Sequence, residues 1–171
     1  AFIIGIAVTA ASTGFSVYGT IHARQMTTRS YDISVDKHVD DISSLNVVLV
    51  ADLHLGYSIG CSDMEKMVDR INALNPDVVI YAGDIFDNDY DALDDPERLV
   101  EIMRNVSAAY GSYAVFGNHD VTETLVGGFS TASRTKAFRD PRMEAFLRQA
   151  GINIMLDEVT TIADGKINLI G

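Results

Sequence analysis

The chain has 171 residues, with 13 Lys and Arg against 24 Asp and Glu and a formal net charge of -11 at pH 7. That length suffices for one ordinary domain with its own hydrophobic core, and that charge argues against non-specific capture of nucleic acid or of an anionic membrane surface, both of which repel an acidic protein. The single cysteine, Cys61, excludes an internal disulfide and reads as a small buried residue.

No residue from Ala1 to Ile21 is charged, and Phe2, Ile3, Ile4, Ile6 and Val8 are followed by small residues and then Phe15, Val17 and Tyr18. A helix of that length measures roughly 30 Å, the thickness of a bilayer's hydrocarbon core. Residues 1–22 are therefore expected to form a transmembrane helix, with Tyr18, His22, Arg24 and Arg29 as its aromatic and basic flank. A cleaved signal peptide or a buried helix are the alternatives; a signal peptide would need a short apolar region behind a basic start. The expected location is the cell membrane, with the side on which the remaining residues lie left open. Residues 23–44 read as a juxtamembrane linker with an edge strand at Tyr31–Val35, where apolar and polar residues alternate.

From residue 45 to 171 the composition is that of an α/β domain. Val47-Val48-Leu49-Val50-Ala51 predicts a strand covered on both faces. Ser62-Asp63-Met64-Glu65 reads as a capping box before a helix whose apolar face is Met64, Met67, Val68, Ile71 and Leu74. Pro76 ends it, and Asp77–Ala82 is the next buried strand. Asp95-Pro96-Glu97 opens a second helix, with a capping carboxylate and Pro at the first helical position. A strand at Tyr113–Phe116, a polar loop over about 121–135, a helix at Arg142–Gln149 ended by Gly151, and strands at Ile152–Leu156, Val159–Ala163 and Ile167–Ile170 complete the order. The alternation of strand and helix predicts a parallel sheet with helices on its faces.

In open α/β sheets ligand sites form beyond the carboxyl ends of the strands. Here the three central strands run into Asp52-Leu53-His54, Gly83-Asp84-Ile85-Phe86-Asp87 and Gly117-Asn118-His119-Asp120. Folded in parallel, these ends bring carboxylate, imidazole and amide groups to one pocket, the inventory of a metal site. Asp52 and His54 stand at i and i+2, on one face of an extended segment, while Gly83 and Gly117 let the backbone turn closely. Mixed oxygen and nitrogen donors suit Mn, Fe or Zn. The acidic run Asp89, Asp91, Asp94, Asp95 and Glu97 reads as a solvated loop with a helix cap.

This ordered set resembles the first three motifs of the calcineurin-like metallophosphoesterases, and Ala51-Asp52-Leu53-His54-Leu55-Gly56 resembles bacterial members that carry the domain behind a membrane segment. The resemblance implies an α/β architecture in which a β-sandwich is flanked by helices. It implies a phosphoesterase acting on phosphomonoester, phosphodiester or pyrophosphate bonds with two divalent ions and a metal-bound hydroxide nucleophile. Carried over by position, it implies that Asp52 and His54 hold the first ion, Asp84 bridges both, Asn118 holds the second, and His119 lies outside the metal shell as the catalytic group. Asp87 and Asp120 are expected to support the ligands and the loop from behind. The complete family pattern adds later histidines, and no histidine follows His119. The expectation is thus an N-terminal part of the catalytic domain, lacking ligands and half the sandwich, and nearly inactive alone. The expected partners are a phosphate-ester substrate, lipid-linked or envelope-derived, and the membrane, with no nucleic acid. A non-catalytic binding module on the same fold is the competing function; intact metal-site residues weigh against it.

Overall fold

The computed structural model describes residues 2–23, 25–121, 125–126, 129–130 and 139–171. It divides into two compact units, Ala1–Lys37 and His38–Gly171.

The first unit contains α1 (Phe2–Ala23). Its apolar side chains, Phe2, Ile3 and Phe15 among them, are exposed, and Phe2–His22 is long and apolar enough to cross a membrane. The edge strand expected at Tyr31–Val35 does not form: these residues lie in no strand, with Tyr31, Ile33 and Val35 exposed. Alternation specifies a strand only when a partner ladder and a core stand beside it, and among the described residues this segment has neither.

Along the second unit run β1 (Val47–Val50), α2 (Cys61–Ala73), β2 (Val78–Ala82), a 3-10 turn (Tyr90–Ala92), α3 (Pro96–Arg104), β3 (Ser112–Val115), β4 (Leu125–Val126), β5 (Phe129–Ser130), α4 (Pro141–Gln149), β6 (Ile152–Ile154), β7 (Val159–Ile162) and β8 (Ile167–Ile170). The main sheet has the order β1-β2-β3-β6 and is parallel throughout. Parallel neighbours need long crossovers, and α2, α3 and α4 supply them. The loop expected over 121–135 falls largely outside the described residues; within it β4 and β5 pair antiparallel.

The three helices cover one face of the sheet. Met64, Met67 and Ile71 of α2, Leu99 and Met103 of α3, and Phe146 and Leu147 of α4 pack with Val79, Tyr81, Ala114 and Ile152 in one core. On the opposite face Val78 packs with Ile162 and Ala163, joined by Ile80, Tyr113, Ile167 and Leu169, so the β7–β8 hairpin serves as its cover. Burying a Leu, Val or Phe side chain in this way contributes roughly 1.5–3 kcal/mol each. β1 departs from expectation. Val48 and Val50 pack on the helical core, whereas Val47 and Leu49 are 44% and 67% exposed. β1 is an edge strand, and the hairpin's apolar contacts go to β2 and β3 instead.

One helix start also differs in detail. α2 begins at Cys61 with Gly60 as its N-cap and no capping hydrogen bond from a side chain at that position, so the Ser62–Glu65 capping box is not formed. The Asp94 carboxylate accepts from the Cys61 N–H at 3.3 Å instead, while the Cys61 thiol donates to the Asp94 carbonyl at 3.2 Å. The acidic run is thus a set of caps: Asp89 accepts from Asp91 N–H, Asp94 serves α2, and Asp95 accepts from Arg98 N–H at the start of α3.

Candidate metal centre

The ladder between β1 and β2 continues past both strands. Asp52 N–H donates to the Gly83 carbonyl at 3.2 Å, His54 N–H to Asp84 at 3.0 Å, Leu55 N–H to Ile85 at 2.9 Å, and Asp87 N–H returns to Leu55 at 3.1 Å. Leu55 and Phe86, both fully buried, anchor this extension in the core. The first two motif segments are therefore zipped backbone to backbone, which sets Asp52 and His54 beside Asp84.

The third segment is tied on by carboxylates. Asp120, wholly buried, accepts from Phe86 N–H at 2.8 Å with one oxygen and from Gly117 N–H at 2.7 Å with the other. Asp84 Oδ1 accepts from His119 N–H at 2.8 Å. The approach is close enough to need glycine on both sides. A Cβ on Gly83, where φ is +89°, would stand 2.9 Å from the Gly117 nitrogen, and one on Gly117 would stand 2.6 Å from the Asp84 nitrogen.

Asp52, His54, Asp84 and Asn88 all occupy left-handed backbone, with φ of 54°, 47°, 50° and 60°. This corrects the simple pleat argument: Asp52 and His54 meet because each turns the chain out of the strand, not because they alternate along an extended segment. Such conformations cost roughly 1–3 kcal/mol each outside glycine, less for Asp and Asn, and gather at functional sites.

The side chains converge in two groups that share one imidazole. Ligand atoms of Asp52, His54 and Asp84 lie within 4.8 Å of one another, and so do those of His54, Asp87 and His119. His54 Nδ1 is 3.6 Å from Asp87 Oδ1, and the His54 and His119 rings meet edge to face at 4.9 Å. Asn118 lies between Gly117 and His119 on the same loop and is exposed. Asp120 belongs to neither group, and its two oxygens accept from the backbone N–H groups of Phe86 and Gly117. Asn88, which sequence reasoning passed over, is 3% exposed, and its Oδ1 is 2.6 Å from His119 Nδ1. The signal available for it was only its place directly after Asp87.

Three carboxylates in so small a space repel one another unless a cation or a donor joins them. No Lys or Arg among the described residues forms an ion pair with Asp52, Asp84 or Asp87, whose only such contact is with His54. The donor set of carboxylate oxygens and imidazole nitrogens fits a divalent transition metal.

Comparison with known proteins agrees. The profile of the calcineurin-like phosphoesterase family matches residues 45–166. A "Transmembrane protein with metallophosphoesterase domain" of Danio rerio is 33% identical over 150 residues, covering 81% of this chain and 34% of that protein. The "Uncharacterized metallophosphoesterase YkuE" of Bacillus subtilis is 28% identical over 119 residues, 70% of this chain and 39% of its own length. "UDP-2,3-diacylglucosamine pyrophosphatase LpxG" of Chlamydia trachomatis is 24% identical over 81% of this chain and 51% of its own. The chain thus spans between about a third and a half of these relatives.

Proposed function

The chain belongs to the calcineurin-like phosphoesterase family, and from that premise we propose that the whole protein hydrolyses a phosphate ester or anhydride with two divalent ions. The observation that carries this is the convergence of Asp52, His54 and Asp84 within 4.8 Å, at three left-handed residues on adjoining strand exits.

Asp52 and His54 would hold one ion, Asp84 would lie between the two, and Asn118 would hold the other, with Mn, Fe or Zn as the fitting metals. Bound there, such ions would supply Lewis-acid charge to the phosphoryl oxygens and lower the pKa of a water toward about 7. Asp84 spends Oδ1 on the His119 N–H, which leaves Oδ2 for the cations and fixes the carboxylate plane. Asp87 Oδ1 lies 3.6 Å from His54 Nδ1, and a hydrogen bond closing that gap would leave Nε2 of His54 for an ion, in the carboxylate–histidine–metal arrangement that orients such ligands. His119, on the loop that Asp120 pins, holds a proton for the departing oxygen or steadies charge on the phosphoryl group.

α1 is proposed to tether this unit to a membrane. Two considerations support a lipid-linked or envelope-derived substrate: the apolar helix, and the Chlamydia trachomatis relative named for a diacylated sugar nucleotide. The charge of -11 supports a substrate other than nucleic acid.

The test uses the full-length protein in detergent, stripped by chelation and reloaded with Mn, Fe or Zn. Hydrolysis of an aryl phosphate, an aryl phosphodiester or a nucleotide-linked lipid should appear only on reloading. Metal binding with no turnover of any of the three would overturn the proposal in favour of a binding module.

A further inference from the structure

Asn88 makes three hydrogen bonds to the loop that carries His119. Its backbone N–H donates to the His119 carbonyl at 3.1 Å, its Nδ2 donates to the Val121 carbonyl at 3.3 Å, and its Oδ1 meets His119 Nδ1 at 2.6 Å. The residue is 3% exposed, so each bond is shielded from competing water. The first of these fixes the backbone of His119, the second fixes the amide, and the third fixes the imidazole.

The Val121 carbonyl can only accept, so the amide must turn its NH2 toward Val121 and its oxygen toward the ring. An oxygen at 2.6 Å can face Nδ1 only if that nitrogen carries a proton. Nε2 is then the nitrogen at which His119 can give or take a proton. No carboxyl group among the described residues hydrogen-bonds the His119 ring: Asp120 holds two backbone N–H groups, Asp84 Oδ1 accepts from the His119 N–H, and Asp87 lies 3.6 Å from His54 Nδ1. We propose that Asn88 is the positioning residue of His119, holding its imidazole in the Nδ1–H tautomer so that Nε2 is the nitrogen presented to the phosphoryl centre. The backbone φ of 60° suits Asn, which enters left-handed conformation more readily than most residues.

This inference rests on the reading of His119 as the group that serves the leaving oxygen, and the experiment separates the two. In the full-length protein, Asn88→Gly removes the side chain while tolerating the positive φ, and Asn88→Asp keeps an acceptor toward Nδ1. Asn88→Gly should lower kcat by about tenfold to a hundredfold, in the range seen for groups that orient active-site residues, with KM and metal content kept. The loss should be larger for phenyl phosphate than for 4-nitrophenyl phosphate, whose leaving oxygen needs little help. Asn88→Asp should restore most of the rate. In the metal-free full-length protein labelled with 15N-histidine, the His119 ring signals should report Nδ1–H in the wild type and a tautomer mixture in Asn88→Gly. If the 15N signals are alike in both, or if Asn88→Gly loses metal and rate together and Asn88→Asp restores neither, the assignment to Asn88 is overturned. If instead His119→Ala turns over at the wild-type rate while the tautomer shift in Asn88→Gly is present, it is the role of His119 in the reaction that fails.

Discussion

The Gly117 nitrogen lies 2.9 Å from the point where a side chain on Gly83 would begin, so the exits of β2 and β3 touch backbone to backbone. That contact brings Asp84 and His119 within one hydrogen bond of each other. Gly117→Ala should force the two loops apart. Overpacking of this kind costs about 1–3 kcal/mol, and since the displaced atoms belong to Asp84, metal affinity should fall along with stability. Unfolding curves and metal titration of the full-length protein check both; an Ala variant with unchanged affinity would mean that the approach does not set the site.

Asp120 should behave as a fastener. Its two oxygens satisfy the buried N–H groups of Phe86 and Gly117, and Asp120→Ala would strand both at a cost on the order of 3 kcal/mol. Asp120→Asn keeps one acceptor and should lose about half as much. Chemical denaturation gives the comparison, with equal losses in the two variants as the unexpected result.

Acid should weaken the start of α4 in a defined direction. Asp140 caps this helix, accepting from Arg142 N–H at 2.8 Å, and hydrogen bonding to the Arg142 guanidinium draws its carboxyl below the ordinary 3.8. A carboxyl depressed in the folded state contributes stability that is present above its unfolded value and lost as pH falls through the folded one. Asp140→Ala should therefore cost about 1 kcal/mol at pH 7, and the difference from wild type should shrink as pH falls below 3.8 and through the depressed value of the folded carboxyl. A difference that persisted undiminished in strong acid would mean that the carboxylate's charge has no part in it.

Removal of residues 1–22 should release the protein from membranes. Intact protein should sediment with the membrane fraction and resist carbonate extraction, and the shortened form should stay in the supernatant. A soluble intact protein, with α1 uncleaved, would refute the tether.

The helices and inner strands were legible because their patterns are local. Val78 and Val79 of β2 are fully buried as the apolar run implies, and the Met64, Met67, Val68 and Ile71 face of α2 is the face that packs. What escaped depends on partners distant in sequence. The cap of α2 comes from Asp94, 33 residues on, and Val47 and Leu49 of β1 are exposed because the hairpin lies across other strands. At the site, the strand-end motifs already pointed to the meeting of Asp52, His54 and Asp84, and of His54 with His119, that the structure shows. The left-handed backbone that aims three of these residues was not legible, nor was Asn88. An Asn in an acidic loop looks solvated until the loop is folded and its amide is found buried against His119.

Metal stoichiometry decides whether Asp84 serves both ions while His119 acts on the phosphoryl group from outside the metal shell. Wild type, Asp84→Asn and His119→Ala of the full-length protein are equilibrated with one metal and analysed beside their turnover of an aryl phosphate. Asp84→Asn should lose both ions and the activity, whereas His119→Ala should keep its metals and slow by about a hundredfold to ten-thousandfold, the range for a proton-transferring group. A His119→Ala protein as depleted of metal as Asp84→Asn would contradict that division of roles.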